Sequence, residues 1–183
     1  MELDNVKDEI AKVLYTEDQI RERLGKLARQ VEKDYQGEDL LIVGILKGSV
    51  MVVADFVREL NKHIQMDWMA VSSYGSGTKS SGTVRILKDL DTDISGKHVL
   101  IVEDIVDSGL TYSWLRNNLL SRGPKSVEIL TLLSKPGALK VDVDVKYIGF
   151  EIPNDFVIGY GLDYAEKYRN LSFVGILAPH VYE

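Results

Sequence analysis

A chain of 183 residues, 45% hydrophobic and 27% charged, has the make-up of one folded domain with a real core rather than a fibrous or disordered protein. Its 22 basic and 28 acidic residues leave a net charge of −6, which argues against nucleic acid or an anionic membrane as a general partner. The absence of cysteine excludes disulfides, thiolate nucleophiles and thiolate zinc sites, and the acidic start MELDNVKDEI is unlike a signal peptide, so a single cytoplasmic domain is expected.

In chain order, Ile20, Leu24, Leu27 and Val31 recur at helical spacing, and Thr16 with Gln19 forms a capping-box pattern at the start of that helix. Gly37 punctuates, LLIVGIL (40–46) reads as a buried strand, KGS (47–49) as a tight turn and VMVVADFVREL (50–60) as a helix. DWMAV (67–71) reads as a short strand. SSYGSGTKSSG (72–82) has no aliphatic residue and reads either as a disordered surface loop or, with Tyr74 at its middle favouring this, as a lid that excludes water from a reactive centre. VRIL (84–87) resumes the apolar pattern, VLIV (99–102) is a strand buried on both faces, and a helix follows it up to Arg122-Gly123-Pro124. VEILTLL (127–133) is a further strand, and YIGF, FVIGY and FVGIL supply three more short ones near the C-terminus. Strands alternating with helices give an α/β fold with a mostly parallel sheet flanked by helices.

The chemistry concentrates in VLIVEDIVDSGLT (99–111). Glu103 and Asp104 stand where the strand should end, and Asp107 opens a small-residue turn into a helix. In open α/β sheets ligands bind at the carboxyl ends of strands, and the N–H groups of a helix start hold anions. Three carboxylates beside an anion cradle call for Mg²⁺ or for hydroxyl groups to hold, and a phosphorylated sugar fits both. Adjacent strand residues point to opposite faces, so Glu103 and Asp104 share one ligand only if the strand is already ending. Asp107 alone could equally be a helix cap. No P-loop, dinucleotide fingerprint, HExxH or nucleophile elbow is present in the sequence.

This 13-residue run resembles, at every position, the diphosphate-binding signature of type I phosphoribosyltransferases. From about Leu40 to Arg169 the chain resembles the hypoxanthine-guanine branch of that family, through ILKGS, SSYGSGTKSSG, LLSKPG, GFEIPNDFVIGYGLDY and Arg169. The resemblance implies a core over about 38–140, a lid over 72–83 that includes Ser73 and Tyr74, and a small hood built from the N-terminal helix and 141–183. It implies a cis peptide before Lys47, with Lys47, Gly48 and Arg169 at the pyrophosphate of phosphoribosyl diphosphate. Asp107, Ser108, Gly109, Leu110 and Thr111 would wrap the 5′-phosphate, and Glu103 and Asp104 would hold the ribose hydroxyls directly or through Mg²⁺. Leu110 stands where some relatives carry lysine, leaving that phosphate held more by dipoles than by charge. At the base, the resemblance implies Lys135 on the 6-oxo group, Phe156 stacked on the purine, Val157 reading its edge through the backbone, and Asp163 as a further Mg²⁺ ligand. Without the resemblance, Asp163 and Arg169 read as residues of a surface helix, and Phe156 and Val157 as ordinary core. The implied enzyme joins hypoxanthine, and guanine, to phosphoribosyl diphosphate, giving IMP or GMP and pyrophosphate, with Asp107 as general base near N7. A homodimer or homotetramer is implied, with helix 50–60 as an interface. Two alternatives stay open: a non-enzymatic regulator that binds RNA or DNA, and the same enzyme class acting on xanthine, adenine, uracil or orotate.

Overall fold

A computed structural model describes residues 3–73 and 84–182. Most of the expected lid, including Tyr74, therefore lies outside the described residues.

Six strands form the large sheet: β2 (Leu40–Leu46), β3 (Gln65–Ser73), β4 (Val84–Lys88), β5 (His98–Val106), β6 (Ser126–Ser134) and β7 (Tyr147–Glu151). Their spatial order is β4-β3-β2-β5-β6-β7, parallel throughout except for the antiparallel β4 at one edge. The central strands explain themselves. Along β2, Leu40 and Ile42 turn to one face while Leu41, Val43 and Ile45 turn to the other, and all are buried because helices cover both sides. On the first face lie α1 (Glu17–Asp34) and α2 (Val50–Glu59), and on the second α3 (Leu110–Leu120) with its buried Leu115 and Leu119.

The start of α1 is fixed as its sequence suggests. The Thr16 hydroxyl accepts the Gln19 N–H at 3.3 Å while Gln19 Oε1 accepts the Thr16 N–H at 2.9 Å. Ile20, Leu24, Leu27 and Val31 are all buried on its inner face. This helix packs on α2 and β7, within the large sheet's core.

A second, three-stranded sheet has the order β1-β9-β8, from β1 (Ile10–Tyr15), β8 (Val157–Ile158) and β9 (Val174–Leu177). The N-terminal segment reaches this small sheet through β1, and β7, although C-terminal to residue 141, pairs with β6 in the large one. β1 escapes a reading of periodicity because its side chains are a mix of exposed and half-buried, with no alternation. The chain closes with one helical turn, α4 (Pro179–Tyr182). Among the described residues no helix is long and apolar enough to cross a membrane.

The chain enters the large sheet at β2, moves outward on one side to β3 and β4, then returns to the other side of β2 with β5. The reversal leaves a crevice between the carboxyl ends of β2 and β5, where such sheets bind ligands.

Candidate active site

Both segments that the sequence singles out open into this crevice. Beyond β2, the Leu46–Lys47 peptide is cis. Ser49 anchors the turn from inside, its buried hydroxyl donating to the Ile45 carbonyl at 2.7 Å. A Cβ on Gly48 would overlap Asp104 Oδ2, so the Lys47–Gly48 backbone and the β5 acids meet with no room for a side chain between them.

β5 does not end at Val102, as its apolar run suggests; it continues through both acids to Val106, paired with β6 as far as Val106–Ser134. The parallel ladder to β6 carries the strand past the point where hydrophobicity stops. The two carboxylates nevertheless stay within interaction distance of each other. Asp104 lies against Gly48, with Oδ1 accepting the Ile105 N–H at 2.8 Å. Glu103 is 2% exposed, and its Oε1 has no hydrogen-bond partner among the described residues. Burial, and then the charge of Asp104, push the Glu103 carboxyl well above the usual range, while burial raises Asp104 despite favourable hydrogen bonds. Tyr112, in the first turn of α3, is half-buried beside the same acids and donates to the Ile105 carbonyl at 3.1 Å. Burial and the charges of Glu103 and Asp104 push its phenol well above its ordinary value.

The next turn is an anion cradle by construction. Gly109 is the N-cap of α3 and takes a left-handed conformation (φ 77°), with no side-chain cap. Asp107 is therefore not the helix cap that its type allowed. The N–H groups of the first helical turn, starting at Leu110 and Thr111, have no acceptor within the helix. The Ser108 carbonyl accepts the Lys140 N–H at 3.0 Å, pinning the turn to the chain beyond β6. Asp107 keeps its side chain 57% exposed, and its Oδ2 lies 3.8 Å from Nζ of the buried Lys135. The Lys135 N–H donates to the Val106 carbonyl at 3.0 Å, so the strand ends of β5 and β6 hold this pair together.

The third wall comes from residues 156–169. Phe156, immediately before β8, is 40% exposed and stacks against Tyr182 with ring centroids 5.3 Å apart, while Val157 is buried in β8. Asp163 and Arg169 do not lie on a helix. The segment folds back through β-bridges between Gly159 and Leu162 and between Tyr164 and Lys167, with Tyr160, Ala165, Glu166 and Tyr168 all at positive φ. Arg169 pairs with Asp163 at 2.8 Å and donates to the Gly161 carbonyl at 2.8 Å. Gly161 itself has φ 100°, and a Cβ there would overlap the Gly48 carbonyl, so this wall rests directly on the Lys47–Gly48 turn.

The structure thus brings together Lys47, Gly48, Asp104, Asp163 and Arg169 through direct contacts, and separately Asp107 with Lys135. Ser73 ends β3, and the Tyr74 expectation falls outside the described residues. Glu166, Gly161 and Tyr112 went unnoticed in the sequence. Tyr112 belongs to the helical stretch and carries no signal of its own, and nothing in DYAEKYR marks a fold-back over a helix. Among the described residues no three His, Cys, Asp or Glu side chains form a ready metal cage. That suits an ion held by one or two carboxylates together with substrate oxygens, as Mg²⁺ usually is. Glu103, buried, and Asp104, half-buried, are hard oxygen donors, mutually repulsive and in part unpartnered, and a cation would relieve them. Asp163 already holds Arg169 and the Glu166 N–H.

Residues 12–165 match the phosphoribosyl transferase domain family. A hypoxanthine-guanine phosphoribosyltransferase of Mycobacterium tuberculosis is 55% identical over 181 residues, covering 96% of this chain and 90% of that protein. The enzyme of the same name from Bacillus subtilis is 47% identical, covering 97% of this chain and 99% of that protein. The crystal structure of a hypoxanthine phosphoribosyltransferase from Staphylococcus aureus superposes with a TM-score of 0.95 at 47% identity, covering 98% of this chain and 97% of the other.

Proposed function

Since the chain belongs to the hypoxanthine-guanine phosphoribosyltransferases, pentosyl-transferring enzymes of purine salvage, we propose that it converts hypoxanthine, and guanine, with phosphoribosyl diphosphate into IMP or GMP and pyrophosphate. The observation that carries the assignment of roles is the pairing of Asp107 with Lys135 at 3.8 Å, beside the anion cradle that opens α3. One acid and one base, held by neighbouring strand ends, suit a purine that presents a ring N–H and a 6-oxo group side by side.

In this reading the bond from C1′ to the pyrophosphate oxygen breaks while C1′ bonds to a ring nitrogen of the base. Positive charge builds on the sugar and negative charge on the leaving group. Arg169, Lys47 and the backbone at Gly48 stabilise the latter with groups already in place, where preorganised electrostatics contribute most. Asp107 takes the proton at N7, a role worth about 10²–10⁴-fold, and Lys135 donates to the 6-oxo group as that proton leaves. The N–H groups from Ser108 to Thr111, with the hydroxyls of Ser108 and Thr111, hold the 5′-phosphate. Phe156 stacks on the purine, and the backbone of Val157 reads its edge. Glu103 and Asp104 hold the ribose hydroxyls, and with Asp163 they are the residues that would hold Mg²⁺. When bound, the ion neutralises the diphosphate and helps it depart. The small β1-β9-β8 sheet serves as the hood, and the segment from Ser73 past Tyr74 as the lid that keeps water from the sugar cation. We further propose a cytoplasmic homodimer or homotetramer assembled through α2, whose Val50 and Met51 are each 37% exposed.

The test is an ultraviolet absorbance assay with Mg²⁺, phosphoribosyl diphosphate and hypoxanthine, guanine, xanthine, adenine or uracil. Nucleotide should form from hypoxanthine and guanine, and a chelator should abolish it. Turnover that survives chelation would remove Mg²⁺ from the account, and turnover of adenine or uracil alone would overturn the base assignment.

A further inference from the structure

Glu166 has no part in the roles assigned above, yet it occupies the centre of the proposed diphosphate site. Its Oε2 lies 3.0 Å from Lys47 Nζ, and its Oε1 lies 3.4 Å from the Arg169 guanidinium. One carboxylate thus bridges the two cations that the leaving group needs, presenting anionic oxygens as a phosphoryl group does. The backbone is shaped to put it there. Ala165 and Glu166 both sit in the left-handed region, at φ 51° and 62°, where non-glycine residues carry strain. The Glu166 N–H donates to Asp163 Oδ2 at 2.9 Å, which ties its position to the acid beside it. Lys47 and Arg169 together pull the Glu166 carboxyl below its ordinary range.

Two further features surround the bridge. Arg169 Nε is buried without an acceptor among the described residues, so the carboxylate does not saturate the guanidinium. Glu166 and Arg169 also line a cavity of about 420 Å³ with Val6, Glu9, Lys167 and Asn170, which gives a displaced Glu166 side chain somewhere to go.

We propose that Glu166 is the resident counter-ion of the diphosphate site, holding Lys47 and Arg169 in register in the free enzyme and exchanging with the diphosphate as it binds and leaves. Two bare cations facing each other would repel, and the bridging carboxylate prevents this. Because diphosphate must displace it, Glu166 weakens the binding of both substrate and product and speeds the release of pyrophosphate. The inference rests on the assignment of Lys47 and Arg169 to the diphosphate.

Calorimetric titration of inorganic pyrophosphate in the presence of Mg²⁺, on the unaltered enzyme and on Glu166→Gln, Glu166→Ala and Arg169→Ala, separates the two claims. Both Glu166 variants should bind pyrophosphate about two- to thirtyfold more tightly, the range that two partly exposed ion pairs span. The KM for phosphoribosyl diphosphate should fall in proportion, with the KM for hypoxanthine unchanged. Equal or weaker pyrophosphate binding in the Glu166 variants, with Arg169→Ala still losing affinity, would overturn the counter-ion role alone. Undiminished binding in Arg169→Ala would overturn the diphosphate assignment and the counter-ion role with it.

Discussion

The carboxyl ends of β2, β5 and β6 and the fold-back between Gly159 and Arg169 form opposite walls of one site and are held in different ways. Asp104, Asp107 and Lys135 hang from, or directly follow, strands whose ladders are continuous and whose side chains beneath are fully buried. Across the crevice, Asp163, Glu166 and Arg169 depend on two β-bridges, several left-handed residues and ion pairs among themselves. Packing makes the first wall rigid, so its polar groups can be buried and left unsatisfied, as Glu103 is. Local backbone conformation and charge shape the second wall, so its integrity depends on a few left-handed residues and ion pairs.

Substitutions should separate the walls. Leu100→Ala, on a buried face of β5, should cost about 2–5 kcal/mol of stability, read as a lower denaturation midpoint, while the folded fraction keeps its KM values. Gly161→Ala should cost about 1–3 kcal/mol, because φ 100° and the Gly48 carbonyl both oppose a Cβ. Unlike the first variant, it should raise the KM for phosphoribosyl diphosphate, and an unchanged KM would break the link between the walls. Thr16→Ala removes the cap of α1, which among the described residues makes no hydrogen bond to either wall, and should cost about 1 kcal/mol with no kinetic change.

Glu103→Gln sharpens the same contrast with the opposite sign. The folded enzyme raises this carboxyl, so its ionisation opposes folding above the ordinary glutamate range. The variant should melt higher than the parent at neutral pH without ligand. That gain should vanish as the pH falls through the carboxylate range, where the parent acid is protonated both folded and unfolded. A gain independent of pH would mean that the burial penalty on this charge is not its origin.

How much of this was legible follows the same division. The strand LLIVGIL, the capping box of α1 and the diphosphate-binding run announce themselves because hydrophobic burial and helix capping act within a few residues of sequence. The end of β5 was misplaced because the hydrophobic run stops at Val102, whereas the ladder to β6 continues to Val106. The helix expected around Asp163 and Arg169 is absent because bonds such as Tyr160 N–H to the Leu171 carbonyl and Gly161 N–H to the Arg169 carbonyl take up the backbone groups it would use. β1 was missed because its partner, β9, is more than 150 residues away in sequence and its own side chains do not alternate. The Lys47–Glu166 bridge likewise joins positions 119 residues apart, a pairing that no local pattern encodes.

The most direct test of the account is steady-state kinetics of Asp107→Asn with both substrates varied. If the proposed role of Asp107 as general base at N7 holds, the variant should lose about 10²–10⁴-fold of kcat, while the KM for phosphoribosyl diphosphate stays within about threefold, because the cradle from Gly109 into α3 is built of backbone. A loss confined to that KM with kcat intact would contradict the account and make Asp107 part of the phosphate loop alone.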